Sequence, residues 1–164
     1  MLDEAGNDSY QGVWYVQGSA AHFAVGILVD GGGDDHYRAT MNMAQGAGHD
    51  FSLGFLLDKS GNDHYDAPNL SLGAGNANGI GIFWDMAGDD TYRTQGGTTM
   101  GGANYDATGL RGSMLCLGIF LDTGGGKDNY PSNVGHTGNN RLWTQPARPG
   151  VPEKAPARGV GLDE

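Results

Sequence analysis

The sequence predicts an all-β protein, a parallel β-solenoid (β-helix or β-roll) of five coils of about 27 residues, and three observations predict it. The chain carries 31 glycines in 164 residues, far above the roughly 7% of an average protein. Its apolar residues fall in short runs such as Gly26-Ile27-Leu28-Val29 and Gly54-Phe55-Leu56-Leu57, which have strand length. The pattern Asp-x-x-Gly-[Asn/Asp]-Asp-x-Tyr recurs along the first 130 residues. A helical fold would lose about 1 kcal/mol at each interior glycine.

The recurring turn runs Asp3 to Tyr10, Asp30 to Tyr37, Asp58 to Tyr65 and Asp85 to Tyr92. A fifth copy passes from Asp122 through Gly126 and Asp128 to Tyr130. The leading aspartates are 27, 28, 27 and 37 residues apart, so the last step holds an insertion, placed at about 102–112. Copies two to five each follow a glycine and three large apolar residues, as in Gly81-Ile82-Phe83-Trp84 and Gly118-Ile119-Phe120-Leu121. This predicts strand, turn, and a second strand opening at the tyrosine. A second signature of small residues (Gln17-Gly18-Ser19-Ala20, Gln45-Gly46-Ala47-Gly48, Leu72-Gly73-Ala74-Gly75, Met100-Gly101-Gly102-Ala103) predicts a tight corner in each coil. Two or three short strands per coil fit the period, and an antiparallel all-β array is the alternative architecture.

The organisation read from the chain is a repeat domain over 1–134 and a Pro-rich extended or disordered tail over 135–164, which contains Gln145-Pro146-Ala147-Arg148-Pro149. Met1-Leu2-Asp3 enters the first repeat in mid-strand, so the chain reads as a segment of a longer array with open coil ends. Nineteen acidic against nine basic residues give a net charge of −10. That balance argues against a nucleic-acid partner and against an anionic membrane surface. No apolar stretch is long enough to insert in a membrane, and no signal peptide opens the chain. Cys116, between Leu115 and Leu117, can form no intrachain disulfide and is expected to be buried and inert.

Stacked in register at about 4.8 Å, the turns place Asp8, Asp35, Asp63, Asp90 and Asp128 in one column of carboxylates. Asp3, Asp30, Asp58, Asp85 and Asp122 form a second. Neighbouring charges at that spacing repel by about 3–4 kcal/mol at an effective dielectric constant near 20. Two solutions are open: a hard divalent cation, calcium by the all-oxygen donor set, or a ladder of hydrogen bonds from backbone amides to Asp and Asn side chains. Tyr10, Tyr37, Tyr65, Tyr92 and Tyr130 are expected to stack as a structural ladder.

Gly6-Asn7-Asp8-Ser9-Tyr10 and Gly61-Asn62-Asp63-His64-Tyr65 resemble half of the haemolysin-type (RTX) calcium-binding nonapeptide, Gly-Gly-x-Gly-x-Asp-x-U-x. The resemblance implies a β-roll of a secreted or cell-surface protein, with calcium held by the motif aspartates and turn carbonyls. That family repeats its motif every nine residues. Here the motif comes once per coil, and Asp-x mostly replaces the opening Gly-Gly, which is a mark of a separate repeat family.

His36 and His64 share a repeat position, where a transition-metal or acid–base site is conceivable. His22, His49 and His136 share no register. The insertion around Gly102-Ala103-Asn104-Tyr105-Asp106, with Arg111 following, is the place for a function unique to one coil. No Ser-His-Asp order, phosphate loop or zinc spacing is present, so enzymatic activity is the less favoured class. The sequence thus leaves three functions open. One is a calcium-stabilised structural or adhesive domain, extracellular by resemblance; the second is a carbohydrate-active enzyme fragment with a polysaccharide partner. The third is a filament subunit that self-associates through open coil ends.

Overall fold

The computed structural model describes residues 1–105 and 109–164. Their thirteen strands, numbered along the chain, fall into three separate sheets. The first holds β1 (Ser9–Gly12), β4 (His36–Ala39), β7 (His64–Ala67) and β10 (Thr91–Thr94), all parallel. A small parallel sheet holds β2 (Ala20–Ala21), β5 (Gly48–His49) and β8 (Gly75–Asn76). The largest sheet has the order β12 (Arg141–Thr144), β13 (Ala157–Asp163), β11 (Cys116–Asp122), β9 (Ile80–Asp85), β6 (Leu53–Asp58) and β3 (Val25–Val29).

The all-β expectation holds, but the expectation of a single parallel β-solenoid is corrected. Three open sheets share the strands, and the largest is mixed, because β12 runs antiparallel to β13. The physical reason lies in the C-terminal segment expected as an extended or disordered tail. Gly159-Val160-Gly161-Leu162-Asp163 lies beside Gly118-Ile119-Phe120-Leu121-Asp122 in register, with Gly161 where the neighbouring strands carry Phe120, Phe83 and Leu56. A Cβ on Gly161 would meet the Trp143 ring at 2.1 Å, so the glycine leaves room for the indole. Filling that room requires β12 to run back across β13, and Trp143 then covers the end of the core against Phe120 and Tyr130.

Alternation builds the core. On β6, β9 and β11 every second residue is buried, so Leu56, Phe83 and Phe120 face inward. From the opposite sheet Tyr10, Tyr37, Tyr65 and Tyr92 stack with centroids 4.7, 4.8 and 5.2 Å apart and near-parallel rings. Phe83 and Phe120 meet Tyr65 and Tyr92 edge-on, joining the two sheets in one aromatic cluster. Such ring pairs add about 0.5–1.5 kcal/mol each beyond their area. The small-residue corners also form, with Gln45 and Gly46 both at positive φ before β5. Cys116 is buried at the start of β11.

The turns after the first rest on a glycine packed against its neighbour: a Cβ on Gly33, Gly61, Gly88 or Gly126 would lie 1.6–1.9 Å from a backbone oxygen of the adjacent turn. Gly61 has φ of +152°, and a Cβ there would lie 1.8 Å from the Gly33 carbonyl oxygen of the adjacent turn. Gly61→Ala is therefore expected to lower unfolding stability by about 3 kcal/mol through strain and backbone clash. Urea denaturation checks this, and an unchanged midpoint would contradict the packing described.

Candidate metal centre

The turn residues occupy fixed places because each sits at the junction of two sheets. Asp58, Asp85, Asp122 and Asp163 are the last residues of β6, β9, β11 and β13, and pair with one another in register. Asp35, Asp63 and Asp90 immediately precede β4, β7 and β10. Between them the glycine lets the chain fold sharply, so both aspartates of a turn point into the protein. Asp30, Asp58, Asp63 and Asp85 are fully buried, and Asp35, Asp90 and Asp122 nearly so. Asp128 is buried more shallowly, while Asp3 and Asp8, near the edge of the first layer, are partly exposed.

Hydrogen bonds account for most of these oxygens. In the first column, one carboxylate oxygen accepts the hydroxyl of a tyrosine from the preceding layer. Tyr10 donates to Asp30, Tyr37 to Asp58 at 2.5 Å, Tyr65 to Asp85 at 2.6 Å, Tyr92 to Asp122 at 2.8 Å and Tyr130 to Asp163 at 2.6 Å. The other oxygen caps the turn by accepting a backbone N–H two residues on, from Gly32, Ser60 and Ala87 for Asp30, Asp58 and Asp85. In the second column, Oδ1 accepts the backbone N–H of the equivalent aspartate one layer back. Asp8 thus donates to Asp35, Asp35 to Asp63, Asp63 to Asp90 and Asp90 to Asp128, at 2.6–2.7 Å. A third, exposed column runs the other way: the amides of Asp34, Asn62, Asp89 and Lys127 donate to the side chains of Asn7, Asp34, Asn62 and Asp89. Each turn is thus clamped from both sides.

What remains is specific. The Oδ2 atoms of Asp35, Asp63 and Asp90 are buried with no hydrogen-bond partner. The residues that bear them belong to clusters in which three carboxylates each bring one oxygen within 4.8 Å of the others: Asp30 with Asp35 and Asp58, Asp63 with Asp85 and Asp90, and Asp90 with Asp122 and Asp128. A fourth cluster joins Asp3, Asp8 and Asp30. All ten predicted aspartates thus stand in the two columns, and the clusters can hold a metal ion. Two groups were missed. Asp163 extends the first column, and its signal was the Gly-x-x-x-Asp spacing shared by Gly159–Asp163 and Gly118–Asp122. Asn139, which accepts the Asp128 amide at 2.7 Å, carried no spacing signal.

The electrostatics follow from burial. Desolvation, then the charge of Asp58, pushes the Asp63 carboxyl up to about 8. Desolvation lifts Asp122 to about 7, aided by Asp128, and Asp58 to about 6 against the opposing Tyr37 hydrogen bond. Asp35, Asp85, Asp90 and Asp128 are raised for the same first cause. Exposed Asp34 is held low by its bonds from Asn62. The stacked phenols of Tyr37, Tyr65 and Tyr92 are raised by burial and by the neighbouring carboxylates, so they stay protonated as donors.

The other predicted positions lie apart from these clusters. His36 and His64 are edge-to-face at 6.2 Å on the outer side of the four-stranded sheet, and His36 pairs with Asp66 at 2.8 Å. His22 and His49, expected to share no register, stand 27 residues apart, one repeat period, and come together at 5.8 Å, with His22 bonded to Asp50. Arg111 also reaches Asp50 and lies over the Phe51 ring at 4.9 Å. Asp106 lies outside the described residues. No protein-family model, curated protein or solved structure matches the chain, so its chemistry rests on its own side chains.

Two outcomes are expected. An acid whose pKa is higher in the folded than in the unfolded chain binds more protons when folded, so its stabilisation is complete below the unfolded value and is lost as pH rises through the folded one. In chelating buffer the melting temperature should therefore fall steadily between about pH 4 and about pH 8. A flat or rising profile in differential scanning calorimetry would contradict these environments. Tyr65→Phe removes the hydroxyl donor to buried Asp85 and should cost about 1–3 kcal/mol in urea unfolding.

Proposed function

We propose that this chain is a calcium-stabilised structural domain, part of a secreted or cell-surface protein, in which cations sit between successive acidic turns. The unpartnered buried Oδ2 atoms of Asp35, Asp63 and Asp90 carry the proposal. An ionised oxygen out of water with no partner costs several kcal/mol, and each of the three aspartates belongs to a three-carboxylate cluster. The donor set is all oxygen, which suits a hard cation, and oxygens grouped within 4.8 Å fit around an ion whose bonds are about 2.4 Å long. Offering one oxygen each, three carboxylates supply fewer than the six to eight oxygens calcium takes, so water or turn carbonyls complete the shell. The likeness of Gly61-Asn62-Asp63-His64-Tyr65 to the haemolysin-type turn supports the same ion and an extracellular setting. Bound there, calcium would neutralise the columns and join neighbouring layers; catalysis is not needed to account for the residues.

A metal-free scaffold is the second reading, favoured by the completeness of the amide and tyrosine ladders. In it a proton on each orphan oxygen, shared with a neighbouring carboxylate, replaces the cation.

Asp63→Asn separates the two, since the amide oxygen can still accept the Asp35 N–H. Under the calcium proposal, elemental analysis finds several calcium ions per chain, and calcium raises the melting temperature over chelator, more so at pH 8 than at pH 5. The Asn variant loses part of the bound calcium and of that rise, and Asp63→Ala loses stability as well. Equal melting temperatures with calcium and chelator, for the native chain at pH 8, would sink the proposal.

A further inference from the structure

The outer face of the largest sheet is an apolar surface with no covering element among the described residues. Along β3, β6, β9, β11 and β13 the residues that alternate with the core positions point outward. Register aligns them in columns, the central one being Ile27, Phe55, Ile82, Ile119 and Val160. A column passes on either side, one through Leu53 and one through Leu57 and Trp84, and the only charge on the grid is Arg158, opposite Leu117. Most of these side chains shield one another to a half-buried state, but Val25 is 65% and Ile27 48% exposed. The small sheet of β2, β5 and β8 packs on the opposite, inner side. Phe23 and Phe51, stacked at 5.2 Å, continue the apolar surface past Val25 and Leu53, with Met114 and Leu115 beside them.

We infer that this face is a dimer interface that receives a second copy of the same chain. Five strands at about 4.8 Å, with outward residues about 6.8 Å apart along each strand, give a surface of roughly 500 Å². The Phe23–Phe51 border extends it to roughly 600–700 Å², above the largest patch of a typical monomer. Two such faces together bury about 1,200–1,400 Å², which clears the ~1,000 Å² of a specific interface. A copy related by a two-fold axis presents the same surface, so apolar columns meet apolar columns, as in two sheets packed about 10 Å apart. Charge decides among occupants. The chain carries −10, but the exposed acids lie elsewhere, Asp34 and Asp89 on the turns for instance. Apart from Arg158, whose guanidinium donates to the Ala155 and Ala157 carbonyls at the border of the grid, the face offers an acidic or basic partner nothing to pair with, and an anionic membrane is repelled. Repulsion between two acidic copies is long-range and screened by salt, so association must strengthen as salt rises.

Sedimentation velocity on the whole chain with calcium present, from low micromolar to about 200 µM and at 50 and 500 mM salt, tests this. A monomer–dimer equilibrium with tighter association at high salt is expected. Ile82→Lys, at the centre of the grid, should weaken the dimer at least about 30-fold, the loss of a central hot spot. Ile82→Thr, which keeps a β-branched side chain, should weaken it with the melting temperature largely kept, so loss of association is not loss of folding. Arg93→Ala, on the four-stranded sheet, should leave it unchanged. A monomer throughout the range, or a dimer indifferent to both Ile82 changes, would overturn the inference. So would a monomer that floats with zwitterionic phosphatidylcholine vesicles through Ile82, which would assign the face to lipid.

Discussion

A carboxylate taken out of water must find a partner for each of its oxygens, and a column of carboxylates must do so against its own repulsion. This protein buries two such columns at the seam between its four-stranded and six-stranded sheets. Nearly every other feature serves to keep them there. The turn glycine allows the close approach of adjacent turns, the strand ends set the spacing, and the tyrosines bring hydroxyl donors into an otherwise apolar interior. The aromatic stack is thus both core and hydrogen-bond supply. Each ring stacks on its neighbours through its faces and reaches the aspartate of the next layer through its oxygen.

The hydrogen bonds divide the aspartates into two kinds. Those of the first column, Asp3 apart, end or directly follow a strand, take a tyrosine hydroxyl on one oxygen and, for Asp30, Asp58 and Asp85, cap their own turn with the other. They are satisfied by the polypeptide. In the second column Asp35, Asp63 and Asp90 use one oxygen to accept the amide of the preceding layer and keep the other bare. The distinction gives the two columns separate roles, the first holding layers together and the second presenting charge to whatever neutralises it. The exposed Asn/Asp column, running in the opposite direction, fixes the turns without burying charge.

The largest sheet shows the same economy on its two faces. Its inner side carries the core positions and the terminal aspartates, and its outer side is a set of apolar columns interrupted by the single charge of Arg158. A sheet that is apolar on both faces is a buried sheet in most proteins. Here one face is left for a partner, and the acidic surplus is carried on turns and edges, away from it.

The recurring turn, its two aspartates and the tyrosine two residues later were legible in the chain, because each depends on local spacing, whereas the inward alternation of Leu56, Phe83 and Phe120 was hidden in runs that are apolar at every position. The same spacing explains why both aspartate columns could be named in advance. Three sheets in place of a single solenoid, and β12 running antiparallel, were not legible. The antiparallel strand depends on Trp143 entering the space above Gly161, a contact between residues that no periodicity links. Asp163 as a column member was hidden because a proline-rich stretch separates it from the repeats, although its Gly-x-x-x-Asp spacing matches Gly118–Asp122. Only the tertiary structure decided which carboxylate oxygens are satisfied. Sequence fixes the order of donors and acceptors along the chain, while the pairing of Tyr65 with Asp85 and the bare Oδ2 of Asp63 arise from one layer lying against the next.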